Sequence, residues 1–351
     1  MQPAPYSLFN LRAYSVAFSS VDTALINNRD HFKSNRLSVE KGLRLPYISS
    51  WGMTTTLEGK IRADGYSIDT GKYEIANKEK EDSYFAGRVF PQVVLTLGYP
   101  LARAGEWTTQ VVEPIVQAVV GPNGSNPNKI PNRDSSVFDF SDTNLFSTNR
   151  FSGYDRVESG TRVNYGLQWS VYGHEKNRSF QALFGQTYVL RDENELKDVM
   201  GYENHVSNYV GRVRLNHEWA TLTYRFRLDQ HDWKAKKHDL NFETGTNPLR
   251  VGVNYLFQDA YQLGEQYFTE KKEITFYGRS QLTKNFSAEA RYRYNLIREQ
   301  KGPLESEALL RYDNECTTFE VGVSKSFTQD RNYHGDTSVN FRLYLKTLGG
   351  K

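Results

Sequence analysis

The 351-residue chain has one cysteine, three methionines and five tryptophans, and no run approaching the roughly 18 apolar residues that a spanning helix needs. The lone Cys316 excludes an internal disulfide, leaving a free thiol or a partner outside these residues. The missing apolar runs exclude a bundle of membrane helices. An excess of one charge sign is also lacking, because 41 acidic residues offset 44 basic ones to leave a net charge of +3. Binding of phosphate backbones needs clustered, unbalanced Lys and Arg, so no nucleic acid is expected as a partner. The motifs G-x-S-x-G, H-E-x-x-H, G-x-G-x-x-G and the P-loop are absent, and no catalytic residue or cofactor can be nominated. The seven histidines are scattered. His231 and His238, flanked by Asp229 and Asp232, read as a solvated loop and strand end rather than a metal site. The opening MQPAPYSLFN has neither a basic n-region nor an apolar h-region, so no signal peptide is expected; an exported protein beginning this way would be a fragment or a truncated reading frame.

What the chain does have is aromatic residues, 14% of the total with 23 Tyr and 20 Phe, in a sequence only 38% hydrophobic and with a mean hydropathy of −0.67. Polar overall yet rich in aromatics is the composition of a barrel with one wet face and one apolar face. Period-2 alternation supports this. In TLTYRFRL, Leu222, Tyr224, Phe226 and Leu228 oppose Thr221, Thr223, Arg225 and Arg227; in AEARYRYNL, Ala288, Ala290, Tyr292, Tyr294 and Leu296 oppose Glu289, Arg291, Arg293 and Asn295; and Phe341, Leu343 and Leu345 oppose Arg342, Tyr344 and Lys346.

Sixteen strands are predicted, near 6–18, 34–46, 50–63, 84–101, 107–120, 161–172, 178–190, 207–216, 219–229, 236–244, 249–258, 271–281, 285–297, 303–313, 316–327 and 337–347. Most approach the 9 to 11 residues of a tilted membrane strand. Short connections (46–50, 103–106, 173–177, 217–218, 245–248, 283–284 and 313–315) alternate with longer polar ones (19–33, 64–83, 121–160, 191–206, 230–235, 259–270, 298–302 and 328–336). Outer-membrane barrels have tight periplasmic turns at one rim and larger loops at the other. With short turns periplasmic, both ends of the chain and Cys316 lie on that side, in a compartment that favours disulfides. The expected fold is therefore all-β, an antiparallel transmembrane β-barrel integral to the outer membrane, with outer-membrane lipid as its solvent.

Three features within this frame are candidate sites. Residues 121–160, rich in Asn, Ser, Asp, Pro and Gly, form a loop of a length that in a compact protein is either disordered or functional. Its Phe138, Phe140, Leu145, Phe146, Phe151 and Tyr154 argue that it packs on something. The inward charges Arg225, Arg227, Glu289, Arg291, Arg293 and Lys346 fit either a path for an anionic amphiphile or an ordinary wet lumen in which opposite charges pair. Pro91 and Pro114 fall inside strands, where proline removes a ladder hydrogen bond; a bulge bending the wall is expected, with local strand opening as the other reading.

At residues 88–160 the order RVFPQV, TTQVVEPIVQ, IPNRDS and DTNLFSTNRFSGYDRVESGTRVNYGLQ resembles the central segment of the LptD barrel, and NECTTFEVGVSKSFTQDRN with TSVNFRLYLKTL is similar to that family's closing strands. The resemblance implies that the whole chain, 1–351, is the carboxyl-terminal outer-membrane barrel domain of such a protein, its strands part of a larger barrel. It further implies a lipopolysaccharide translocon with an LptE-like plug lipoprotein, an LptA-like periplasmic bridge acting through the missing amino-terminal domain, and no chemistry on the ligand. Cys316 matches a family cysteine that bonds to the amino-terminal periplasmic domain; members often carry two adjacent cysteines there, where this chain has Glu315 and Cys316. Asp134, Asn144, Phe146, Arg150, Phe151, Gly153, Tyr154, Asp155, Arg156 and Glu158 match the family's loop motif, implying a loop that folds over or into the lumen as pure architecture or in contact with ligand or plug. The competing expectations are a sixteen-stranded diffusion porin, closed within these residues, and an outer-membrane hydrolase, for which no residue can be named.

Overall fold

The computed structural model describes residues 15–24, 31–69, 83–136, 139–175, 178–190, 196, 200–202, 204–263, 266–327 and 335–346. The strands are β1 (Ser15–Ala24), β2 (His31–Ile48), β3 (Thr54–Asp69), β4 (Ser83–Gly98), β5 (Leu101–Ala104), β6 (Thr108–Val120), β7 (Arg162–Gly173), β8 (Ser179–Val189), β9 (Tyr209–His217), β10 (Ala220–Leu228), β11 (Ala235–Thr246), β12 (Leu249–Gln258), β13 (Tyr261–Leu263), β14 (Gln266–Phe268), β15 (Lys271–Gln281), β16 (Phe286–Asn295), β17 (Gly302–Asp313), β18 (Thr317–Ser326) and β19 (Thr337–Leu345). Among the described residues no helix is long and apolar enough to cross a membrane. The chain is all-β and antiparallel, as its alternation requires.

Two compact units partition the chain, Met1–Leu101 with Val112–Leu167 and Gly185–Asn208, and Ala102–Val111 with Gln168–Phe184 and Tyr209–Lys351. In the first, β1, β2, β3, β4 and β6 pair in succession. Ser34, Arg36 and Ser38 of β2, Arg62, Asp64 and Tyr66 of β3, and Arg88, Phe90 and Gln92 of β4 are buried on one face. The opposite face is apolar and bare, with Phe85 85% and Val89 62% exposed beside Leu37, Val39 and Ile61. Charges inside and hydrocarbon outside is the reverse of a water-soluble sheet, and it is the arrangement that a lipid solvent stabilises.

In the second unit, β9 to β12 and β15 to β19 form a continuous antiparallel meander. Its register sets opposite charges across from each other: Arg225↔Asp239, Arg279↔Glu289, Arg291↔Glu307, Arg293↔Glu305 and Glu320↔Arg342. Directly opposed side chains lie within reach, and ion pairs join Arg225 to Asp239, Arg291 to Glu307, Arg293 to Glu305 and Arg342 to Glu320.

Several boundaries differ from the sequence reading. β3 runs to Asp69 rather than 63, because Arg62, Asp64, Tyr66 and Ile68 continue its buried face. β4 stops at Gly98 because Pro100 has no N–H for the ladder. β1 spans Ser15–Ala24 where 6–18 is predicted, and residues 6–14 lie outside the described ones. The predicted connection 259–270 contains the β13–β14 hairpin, clipped by Tyr261 stacked on Phe268 at 4.6 Å. At Pro91 the expected bulge is absent from the β3–β4 ladder. β3 and β4 stay in one register from Thr54↔Gly98 through Ile61↔Pro91 to Asp69↔Ser83. The β4–β6 ladder instead fits between the prolines, from Val93↔Val120 to Gly98↔Ile115, and Pro114 contributes only its carbonyl, accepting from Tyr99 N at 3.1 Å.

Candidate functional site

The buried polar face of β2–β4 is covered by the segment between β6 and β7, which folds into a compact cap. Gly160 N donates to Pro122 O and Ser152 N to Ser136 O, so the ends and the middle of the segment are each closed by backbone bonds. Ile130, Phe140, Leu145 and Val157 are buried, with Ile130 packing on Tyr66 and Ile68 of β3. Phe138 lies outside the described residues; Phe146 and Phe151 are half-buried and Tyr154 is exposed.

Two charge clusters bind the cap to the strands. In the first, Asp64 accepts from Arg62 Nε at 2.9 Å and Arg88 Nε at 2.8 Å. The guanidiniums of Arg88 and Arg62 continue to the carbonyl of Tyr154, and Arg88 Nη1 also donates to Asp155 O at 3.0 Å and Asn126 Oδ1 at 2.9 Å. Arg36 Nη1 lies 2.7 Å from Asp134 and 2.6 Å from Asp155. Those two carboxylates cap each other's backbone. Asp134 accepts from the N–H of Tyr154 and of Asp155, while Asp155 accepts from the N–H of Arg133 and of Asp134. The Tyr154 ring sits under two cations, 5.1 Å from Arg36 and 5.0 Å from Arg62. Three arginines face three aspartates, so this cluster is electrically balanced, as burial demands.

The second cluster centres on Arg150. It donates to Glu158 at 2.6 Å, to the carbonyls of Leu145 and Asn144, and to Asn164 Oδ1 and Thr187 Oγ1 on β7 and β8, and it stacks over Phe140 at 5.3 Å. Glu158 also meets Arg162 at 3.2 Å. Asn144 and Arg156 act locally: Asn144 ties Ser141 N to Asp139 O, and Arg156 N donates to Ser135 Oγ.

The ten loop residues expected from the sequence thus gather in one cap, but its strand-side partners, Arg36, Arg62, Asp64 and Arg88, escaped the sequence reading. The signal was present in NRLSVEKG, KIRADGYSI and GRVFPQVV, whose alternation places these groups on one face. The expected charges Arg225, Arg291 and Arg293 lie elsewhere, in the second unit. They face Asp239 at 3.8 Å, Glu307 at 3.6 Å and Glu305 at 3.3 Å, each partly exposed. Arg227 is buried in β10 and Glu289 opposes Arg279. Cys316 is an exposed free thiol in the β17–β18 turn, its N–H held by Asn314 Oδ1 at 2.9 Å, and Lys346 Nζ clamps the same turn through Asp313 and Asn314 O.

Partial burial raises the Asp134 carboxyl, but the Arg36 hydrogen bond and the backbone N–H groups of Asp155 and Tyr154 outweigh it and hold the carboxyl at about 2. A free aspartate titrates near ~3.9. The folded value lies below the unfolded one, so this anchor is fully present above pH ~4 and is lost as pH falls toward ~2. Limited pepsin digestion of the full-length protein is expected to begin cutting within 121–160 across that window. The same cutting profile in Asp134→Asn would show that another group is responsible.

Comparison with known proteins gives one family. The model of the family LptD, described as LPS transport system D, matches residues 3–300. Among curated relatives, the "LPS-assembly protein LptD" of Vibrio cholerae is 24% identical over 95% of this chain and 45% of its own length. The protein of the same name from Neisseria gonorrhoeae is 27% identical over 90% and 40%, and that of Escherichia coli O6:H1 22% over 97% and 45%. The chain therefore spans less than half the length of these relatives. A solved porin of Rhodopseudomonas blastica, a triple mutant, aligns over 96% of this chain and 99% of its own at 10% identity with a TM-score of 0.34.

Proposed function

The chain belongs to the LptD family, and on that premise we propose that it forms barrel wall of a lipopolysaccharide translocon, passing lipopolysaccharide into the outer leaflet of the outer membrane without a covalent step. It is an integral protein of the cell outer membrane. The observation that carries the functional reading is the cap: a forty-residue segment, fixed by buried arginines to the polar face of strands whose other face is bare hydrocarbon. A polar interior can pass a phosphorylated sugar head, and a rigid cap defines which part of that interior stays filled. The cap's exposed edge, with Tyr154 and Gly153, is the surface offered to the ligand or to an LptE-like plug lipoprotein. An LptA-like bridge would deliver the ligand through an amino-terminal periplasmic domain.

The test is deletion of 134–158 in the full-length protein, which should reduce surface display of lipopolysaccharide and association with the plug. Normal display and association would reduce the segment to decoration. We further infer that Cys316, exposed on a tight turn, joins the barrel to the amino-terminal domain through a disulfide. Full-length protein should shift in mobility between reducing and non-reducing gels, and Cys316→Ser should abolish the shift. If neither form shifts, the cysteine has no such role.

A further inference from the structure

Positive charge is in excess around Thr148. Arg150 and Arg162 share a single acid, Glu158, among the described residues. Lys60 adds a third cation. Its Nζ lies 3.3 Å from Thr148 Oγ1, and no carboxylate of the described residues is within ion-pair distance of it. Glu58, its neighbour, is paired with Arg44 at 3.0 Å, and Glu40 stands opposite Arg62. Arg162, 1% exposed, spends Nη2 on the carbonyls of Ser147 and Thr148 and on Glu158, while its Nε and Nη1 have no acceptor among the described residues. Gln92 donates to Thr148 O at 3.1 Å, and its Oε1 has no partner among the described residues. Lys60 and Gln92 are register partners on β3 and β4, so both side chains reach Thr148 from the same rung.

A buried guanidinium with idle donors beside a second unpaired cation is unfavourable unless an anion shares the space. We propose that Lys60, Arg162 and Gln92, gathered on Thr148, bind a phosphate group. A phosphate monoester or a phosphorylated sugar fits this donor set: its charged oxygens take the N–H groups of Arg162 and Lys60, and its hydroxyl donates to Gln92 Oε1. Lys60 is half-buried while the idle atoms of Arg162 and Gln92 are enclosed, so the anion enters past Lys60 and the packing around Thr148 opens to admit it. Both a free phosphate and the head of a phosphorylated glycolipid carry this chemistry. The glycolipid source rests on the function proposed above, whereas binding of free phosphate does not.

Full-length protein in detergent, with its heat-modifiable gel mobility as the check on folding, is titrated with inorganic phosphate by calorimetry. Binding is expected, weakened at least tenfold in Lys60→Gln and likewise in Arg162→Lys. Phosphorylated lipopolysaccharide is then added as competitor, with its dephosphorylated form in parallel. Displacement by the phosphorylated form alone supports a headgroup site; phosphate binding that neither form displaces supports a site for the free anion. No phosphate binding by the folded wild-type protein, or equal binding by folded Lys60→Gln, overturns the proposal. Normal lipopolysaccharide display after deletion of 134–158, with phosphate still bound by the wild-type protein, would count against the function, not against this site.

Discussion

Glu158→Gln is expected to destabilise the cap by about 3–5 kcal/mol, because removing one partner of a buried ion pair leaves the remaining charge uncompensated. Here the loss is aggravated by geometry. Glu158 is fully buried and is, among the described residues, the one acid paired with Arg150 and Arg162, and its second oxygen also accepts from the backbone N–H of Arg150. The amide can replace one acceptor but neither charge. The contrast is Arg44→Ala, which opens the exposed Arg44–Glu58 pair and should cost no more than about 1 kcal/mol. Urea-induced release of 121–160, read by protease cutting in the full-length protein, separates the two: the midpoint should fall sharply for Glu158→Gln and hardly for Arg44→Ala. Similar midpoints for both variants would mean that the second cluster does not hold the cap.

The strands were largely legible in the sequence because each carries its own periodicity. TLTYRFRL and AEARYRYNL contain the complete instruction for β10 and β16, apolar residues to one side and charges to the other. The turns were legible for a similar local reason, since Gly105 N donating to Thr108 O closes RAGE and Phe286 O accepting from Thr283 N closes the turn at TK. The limits of strands were less so. The alternation of KIRADGYSI does pass Ala63, but Asp64 and Gly65 read locally as a turn, and the extension to Asp69 is stabilised by β2 and β4 on either side and by Ile130 above.

The cap was legible only as a change of composition. Its ten motif residues were named through resemblance, and their chemical roles were not evident, because each partner lies far along the chain. Arg36 meets Asp155 across 119 residues, Arg88 meets the Asp155 carbonyl across 67, and Lys60 meets Thr148 across 88. A pattern of period two says which face Arg36 or Arg88 occupies, but not that a loop will return to neutralise it. The bulge expected at Pro91 is missing for a related reason. A bulge is one remedy for a missing donor, and ending the neighbouring ladder at that rung is another; the choice depends on which edge of β4 the donor would face.

Gly153→Ala should be nearly as damaging as the loss of Glu158, without any change of charge. Gly153 has φ +67°, a left-handed conformation that costs a side chain about 1–2 kcal/mol. A Cβ there would also stand 2.4 Å from Asp134 O and 2.7 Å from its carboxylate. Asp134 cannot swing aside, since its oxygens accept from Tyr154 N, Asp155 N and Arg36 together. Overpacking against a fixed group adds about 1–3 kcal/mol, for an expected total of about 2–5 kcal/mol. Gly124→Ala isolates the first contribution, because Gly124 has φ +62° and nothing within 4 Å of the added atom. Protease cutting within 121–160 is therefore expected to rise much more in Gly153→Ala than in Gly124→Ala. Equal effects would assign the cost to backbone conformation alone and would remove the Asp134–Asp155 exchange from the forces that keep the cap in place.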